Sequence, residues 1–351
     1  MKRFIYFISA AALALGAYNS AAAQSIYIAL GDKEYNIDEQ RLNNCLERVG
    51  ERLEQAMEQV EVAMEHIGEE LEKTAERFEK GDYEITISGD NTSRFRGSGR
   101  IITESRIVPA DYRGVTVSRA IKVTMEERTG TTAVIRADDN VMPHIKIENK
   151  GGILEIKIDE SIRSINNVTA EVRLPMSTNI SALKATSAAD INVEYTIKSS
   201  ELEIDASSAA NIRIAKAEVD ECDIDASSAA SIKASIKATE CDIDASSAAN
   251  VTANLLVKHC QADASSAADI SLTGEAGSLD LEASSAANIR AADVRTIVGA
   301  SASASSGADI KVHAGKSLNA NASSGGTVAY KSDHDLNISI KKSSGGNVRK
   351  M

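Results

Sequence analysis

A five-residue phrase, Ser-Ser-Ala-Ala-Asn in its commonest form, recurs nine times and constrains the fold more than any other feature of the chain. Successive copies start 21, 20, 19, 19, 19, 21, 18 and 20 residues apart. Such a period, with Val, Ile and Ala between the turns, is typical of a stacked β-solenoid, because each repeat buries its apolar face against its neighbours. The copies occupy residues 186–190, 207–211, 227–231, 246–250, 265–269, 284–288, 305–309, 323–327 and 343–347.

Apolar residues flank each copy of the phrase at a spacing of two. Around the copy at 246–250, Ile243 and Ala245 precede it and Val251 follows it. Alternation of this kind places these residues on the inward face of short strands, and it makes the phrase a corner where only small side chains fit. We therefore predict an all-β fold, a parallel β-helix with coils of about 20 residues. We assign residues 104–351 to it and interpret those up to about 180 as its opening coils.

The segment before the repeats carries a family resemblance. The runs RIVPADYRGVTVSRAIKVTM (106–125) and AVIRADDNVMPHIKIENKGGILEIKI (133–158), followed by the Ser-Ser-Ala-Ala corners, resemble the auto-transporter adhesin head GIN domain family (DUF2807) of exported bacterial proteins. The resemblance covers about residues 104–330. It implies a right-handed parallel β-helix at the cell envelope or outside the cell, with no enzyme activity and no agreed ligand.

The first 23 residues are typical of a signal peptide. Lys2 and Arg3 form a positive start, an apolar stretch follows, and Ala21 and Ala23 place small residues before a cleavage site. The apolar stretch is too short to span a bilayer comfortably. We expect export to the periplasm, the outer surface or the medium, and no membrane span after cleavage.

Residues 24–81 are predicted to form one long amphipathic helix, and residues 82–103 a linker. Apolar residues from Leu42 to Phe78 recur at an average step of 3.6 residues, which gives one continuous stripe on a helix. A helix with such a stripe is stable only when another apolar surface packs against the stripe. It either packs along the following domain or forms a coiled-coil stalk that makes the protein a homo-oligomer, with Cys45 beside the contact.

Acidic residues form two series before successive corners. One series lies two residues before the corner and the other four residues before it, so alternation directs both outward and stacks them along the solenoid axis. Stacked like charges are unfavourable. Three interpretations follow: a solvated face, a Ca²⁺-binding face, or a docking surface for a basic partner. The candidate ladder comprises Asp205, Asp223, Asp225, Asp242, Asp244, Asp263 and Glu282.

Cys222, Cys241 and Cys260 each lie five residues before a corner, where Leu202 and Leu279 stand in other coils. The pattern predicts an inward column of thiols that packs as small apolar groups. Metal binding would need converging His or further Cys side chains, and His259 is expected to point outward. The redox state of the three thiols is left open.

Charge and composition argue against two classes of function, nucleic-acid binding and glycoside hydrolysis. A net charge of -12 opposes binding to nucleic acid. The carboxylates belong to a regular ladder, whereas glycoside hydrolysis needs two carboxylates with different pKa values. No catalytic or cofactor-binding residue is identified, and no cofactor other than Ca²⁺ is considered. We predict a non-enzymatic, adhesin-like protein that binds a protein or glycan at the cell envelope. The alternatives are a periplasmic structural or stress-related protein and, more distantly, a carbohydrate-active β-helix enzyme.

Overall fold

The computed structural model describes residues 26–30, 33–37, 94–162, 164–333 and 335–351. The chain divides into two compact units, Met1–Asp90 and Asn91–Met351. Within the described ranges, no helix has the length and hydropathy that a membrane span requires.

The first unit contains an antiparallel hairpin. Strand β1 (Ile26–Leu30) pairs with β2 (Lys33–Ile37). The hairpin occupies the start of the range 24–81 that we predicted as helical. The apolar stripe of that prediction, Cys45 and the predicted signal peptide lie outside the described residues.

The second unit begins before the boundary predicted from the sequence, since strands occur inside the range 82–103 that we predicted as a linker. The buried Asp138 carboxylate anchors this part by accepting the Gly99 and Thr169 backbone N–H groups, each at 2.7 Å. The elements of this region are β3 (Arg94–Arg96), β4 (Ile101–Ile107), β5 (Gly114–Val117), β6 (Lys122–Glu126), β7 (Thr132–Asp138), a 3-10 turn (Met142–His144), β8 (Ile145–Lys150), β9 (Ile153–Ile158), β10 (Ser164–Asn166) and β11 (Ala170–Pro175).

These strands are not simple opening coils, which corrects that part of the prediction. The pairs β4–β7, β7–β11 and β8–β9 are antiparallel. The pairs β5–β9 and β6–β11 are parallel, and β5 and β6 lead into the repeats by pairing with the first strands there. Antiparallel strands therefore occupy the start of the solenoid, in the part of the sequence that lacks the corner phrase.

The repeats build two parallel ladders that meet at the corners. One ladder contains the strands before each corner and the other the strands after it, and the long strands β17 to β20 contribute to both. The predicted all-β solenoid is thus confirmed. The strands are β12 (Ala182–Ala185), β13 (Asp190–Lys198), β14 (Glu201–Ala206), β15 (Asn211–Glu218), β16 (Glu221–Ala226), β17 (Ser231–Ala245), β18 (Asn250–Ala264), β19 (Asp269–Ala283), β20 (Asn288–Ala304), β21 (Asp309–His313), β22 (Ser317–Ala322), β23 (Thr327–Lys331), β24 (Asn337–Lys342) and β25 (Asn347–Lys350).

Each corner is a tight turn that is itself stacked on the next. In the copy at 246–250, the Ala249 N–H donates to the Ser246 carbonyl at 3.1 Å, and the two residues between them have φ of 53° and 61°. Two positive φ values identify a type I′ turn. The Ala248 N–H donates to the Ser266 carbonyl of the next coil at 3.0 Å, so the corners extend the ladder hydrogen bonding around the bend.

The core is a stack of thin aliphatic layers, in a chain of which aromatic residues make up only 3%. In-register pairing places Ile224 beside Ile243 and Ala226 beside Ala245, and all four side chains are buried. The Ala residues before the first eight corners are buried, and so is the Ala at the fourth position of the first seven corners, which leaves no room for a larger side chain at these bends.

Candidate functional site

The strands before the corners present an acidic face, defined here as the outward carboxylates of β14, β16 and the matching segments of β17, β18 and β19. Both predicted columns form as expected, because paired residues in adjacent coils share a register. The first column is Asp205, Asp225, Asp244, Asp263 and Glu282, and the second is Glu203, Asp223, Asp242, Gln261 and Asp280.

A third acidic column lies beside these two and was missed in the sequence. Glu201 pairs with Glu221, which pairs with Glu240, and all three side chains are exposed. They stand six residues before the corner, so continuing the same alternation by two residues would have found them. The face is therefore three carboxylates wide across its first coils.

Few cations compensate this charge. Lys184 forms an ion pair with Asp205 at the edge of the face. Burial, and then the neighbouring Asp205 and Asp223 carboxylates, raise the pKa of Asp225. Burial and then Asp263, Asp225 and Asp242 likewise raise the pKa of Asp244. The carboxylates of the acidic face therefore repel one another, and a cationic partner would relieve this repulsion.

A groove of about 660 Å³ runs parallel to the solenoid axis between the first acidic column and the corners. The Ala residues between the carboxylates and the corner serines also border the groove, and their side chains are buried in the core. Asp263 lies in the groove: its Oδ2 accepts a hydrogen bond from Gln261 at 3.0 Å, while Oδ1 is buried without a partner. The groove is lined by Asp225, Asp244, Asp263 and Glu282 together with Ser227, Ser246, Ser265, Ser284 and Ser305.

The acidic face does not form a compact metal cage. Within the described part of the chain, no three His, Cys, Asp or Glu side chains come close enough to hold one metal ion. The ladder spreads the carboxylates about 4.8 Å apart along the axis, the separation of neighbouring strands. This spacing suits an extended cationic partner better than a single ion bound by many oxygens.

The three cysteines form the predicted column. Cys222 pairs with Cys241 and Cys241 with Cys260, and all three are free and buried. A hydrogen bond with Cys241 and then burial raise the pKa of Cys222 and of Cys260. Burial keeps all three thiols away from solvent and reactants, and their place in the core is a packing role. His259 lies outside the core, as expected, and its Nδ1 is 2.9 Å from Ser278 Oγ.

One histidine is buried in a polar cluster that sequence reasoning did not find. His313 Nδ1 accepts the Thr296 backbone N–H at 3.2 Å, and Nε2 lies 3.1 Å from the Asp333 carboxylate. The Thr296 hydroxyl is buried without a partner. Thr296 lies 17 residues before His313 in the sequence, and Asp333 lies 20 residues after it. Only the stacking of the solenoid coils brings these groups together.

The fold and the acidic face define a class: a parallel β-solenoid with a long, regular lateral surface. The family model described as "Putative auto-transporter adhesin, head GIN domain" (DUF2807) matches residues 111–259 and again 230–333. This chain belongs to that family, which confirms the resemblance found in its sequence. A search of curated proteins gives no match.

Solved structures share the fold. A protein described as a putative adhesin from Parabacteroides merdae is 16% identical, with a TM-score of 0.57 over 74% of this chain and 99% of its own. A putative adhesin from Parabacteroides distasonis is 18% identical, with a TM-score of 0.55 over 74% of this chain and 100% of its own. A protein from the same species described as lipid-binding is 15% identical, with a TM-score of 0.54 and the same coverage.

Proposed function

We propose that this protein is an exported, non-enzymatic interaction protein of the cell envelope that binds its partner along the acidic face. Membership in an adhesin-like family supports the general role. The observation that carries the proposal is the axial groove, where carboxylates from four successive coils stand beside corner serines. A partner that lies along the axis meets the same pair of groups in each coil.

The chemistry of the groove favours an extended basic segment of a protein. Lys or Arg side chains would pair with the carboxylates, and the serine hydroxyls both donate and accept hydrogen bonds. The pKa values of Asp225 and Asp244 are raised partly by neighbouring carboxylates, so a positive charge placed beside these two residues would relieve the most repulsion. An anionic lipid surface or a nucleic acid would be repelled by the same face.

Binding is tested with the double variant Asp225→Asn with Asp244→Asn and an oligolysine peptide as the probe. We expect the wild-type protein to bind the peptide and the double variant to bind it at least several-fold more weakly, because each lost contact is charge-assisted. Glu127→Gln, an exposed carboxylate elsewhere in the chain, is the matched control. Equal affinity for the wild type and the double variant would exclude this groove as the binding surface.

Calcium is the alternative cation, and the same variants separate it from a basic partner. Melting temperatures are measured with CaCl₂ and with an excess of chelator. A rise with Ca²⁺ that disappears in the double variant, without peptide binding, would assign the face to Ca²⁺. No change in either protein would exclude the Ca²⁺ interpretation.

Location is tested by protease treatment of intact cells, followed by blotting for residues 101–351 alongside a periplasmic control protein. An adhesin-like protein on the outer surface is degraded while the control survives. Protection until the outer membrane is permeabilised would place the protein in the periplasm and favour the structural or stress-related alternative.

A further inference from the structure

The three buried thiols stand at matching positions in adjacent coils. Cys222 of β16 pairs in register with Cys241 of β17, and Cys241 pairs with Cys260 of β18. All three are free, and each is at most 1% exposed. The same position holds Leu202 in the coil before them and Leu279 in the coil after them. The thiol column therefore spans three coils, with Cys241 at its centre.

The spacing of this column suits a covalent bond between neighbours. Paired strands place in-register Cα atoms about 4.8 Å apart, and disulfides join cysteines whose Cα atoms are usually about 4.4–6.8 Å apart. Hydrogen bonds with Cys222 and with Cys260 lower the pKa of the Cys241 thiol, so Cys241 interacts with both neighbours. Cys222 and Cys260 are two strand spacings apart, about 9.6 Å, which is beyond the reach of a disulfide.

We propose that Cys241 forms a disulfide with either Cys222 or Cys260, and that the cysteine left over stays a thiol. Two thiols lose two protons and two electrons as the S–S bond forms, and a disulfide-bearing oxidant takes up the electrons. One thiolate attacks the oxidant to give a mixed disulfide, and the second thiolate then displaces the oxidant as a thiol. Because the stacked core excludes reactants, this exchange takes place while the coils are still assembling.

Such a bond joins two of the coils that present the acidic face. Cys222 lies three residues before Asp225, and Cys241 lies three residues before Asp244, with the thiols inside and the carboxylates outside. The bond restrains the unfolded chain and holds together two strands whose carboxylates repel each other. It forms whether or not the acidic face binds a partner, so its test is independent of the proposed function.

The test starts from reduced, denatured full chain that carries Cys45→Ser, so that only the three thiols of the column remain. The protein is refolded in a mixture of oxidised and reduced glutathione. It is then denatured in the presence of an alkylating reagent, which blocks every free thiol. We expect one blocked cysteine per chain, and a loss of two free thiols relative to protein refolded with a reducing agent.

Peptide mapping locates the bond. Trypsin cuts after Lys237 and Lys258, so the three cysteines fall on separate peptides. Mass spectrometry without reduction should find the Cys241 peptide linked to the Cys222 peptide in some chains and to the Cys260 peptide in others. The peptide that is not linked should carry the alkyl group.

Alanine variants identify the centre of the column. Cys222→Ala should retain a bond between Cys241 and Cys260, and Cys260→Ala should retain a bond between Cys222 and Cys241. Cys241→Ala leaves the same number of thiols as these two controls, but it should form no bond, because the remaining pair is too far apart. Leucine variants repeat the comparison if an alanine variant does not fold, since Leu occupies this position in other coils.

Two results would overturn the proposal. One is a wild-type column, refolded with glutathione to native circular dichroism, in which all three cysteines are alkylated. The other is a bond between Cys222 and Cys260 in natively folded Cys241→Ala, since the observed register does not bring these two residues together.

Discussion

At the scale of single residues, the corners carry backbone strain that their own stacking holds in place. Type I′ turns favour Asn and Gly, because both central residues have positive φ. Here the two central residues are Ser and Ala in the first six corners, whereas Gly307, Gly325 and Gly345 replace the alanine in the last three. A left-handed conformation costs an L-residue roughly 1–2 kcal/mol. The hydrogen bonds between successive corners and the small size of Ala sustain it.

Exchanging Ala and Gly at this position should change stability in opposite directions. Ala248→Gly relieves a φ of 61°, and we expect the free energy of unfolding to rise by up to about 1 kcal/mol. Gly307→Ala imposes that strain, and we expect a loss of about 1 kcal/mol. No atom lies within 4 Å of a Cβ added at Gly307, so steric overlap does not contribute. Denaturant unfolding measures both. Changes of the same sign would contradict this account of the corner.

At the scale of the strand, register decides the chemistry of the surface. Because paired strands keep the same alternation, a carboxylate in one coil lies directly over a carboxylate in the next, as Asp225 does over Asp244. The same register stacks Cys222, Cys241 and Cys260 inside the core. One periodic rule therefore produces both a charged face and a buried thiol column.

The acidic column should make stability depend on pH. Folding raises the pKa of Asp225 and of Asp244, so the folded state binds their protons more tightly than the unfolded chain does. The stability associated with these protons is complete below the ordinary aspartate pKa of about 3.9 and is lost as pH rises through the higher folded values. The double variant Asp225→Asn with Asp244→Asn has no proton to release at these two positions, so its stability does not fall as the pH rises through this range. We expect the double variant to melt above the wild type at pH 7.

Thermal melts between pH 7 and pH 3 check this sign. The difference in melting temperature between the double variant and the wild type should shrink as the pH falls, because a protonated Asp resembles Asn in charge. Glu127→Gln should show no such convergence. A double variant that melts below the wild type at pH 7 would mean that these carboxylates stabilise the fold when charged.

At the scale of the whole molecule, the second unit is a one-dimensional stack with different ends. Antiparallel strands β4, β7 and β8 lie at one end, where Asp138 bonds two backbone segments. Within the described residues, β24 and β25 form the last coil of the ladder, and each pairs only with a strand of the coil before it. Each coil contacts its neighbours, so local stability should follow position along the axis.

Hydrogen exchange should reveal that gradient. We expect the slowest amide exchange in residues 231–283, where β17, β18 and β19 have paired neighbours on both sides. We expect the fastest exchange among the repeat strands in β24 and β25. Mass spectrometry of peptides after timed exchange gives the profile. A uniform rate along the repeats would indicate that the solenoid opens only as one cooperative unit.

The sequence by itself determined the solenoid, its period, the two predicted acidic columns and the thiol column. All of these follow from alternation within a strand and a repeat length that places equivalent residues in register, both of which are local properties. The tertiary structure decided the antiparallel pairing of β4, β7 and β8, and it placed His313 beside Thr296 and Asp333. These features depend on which coils become neighbours, and a local pattern does not encode that.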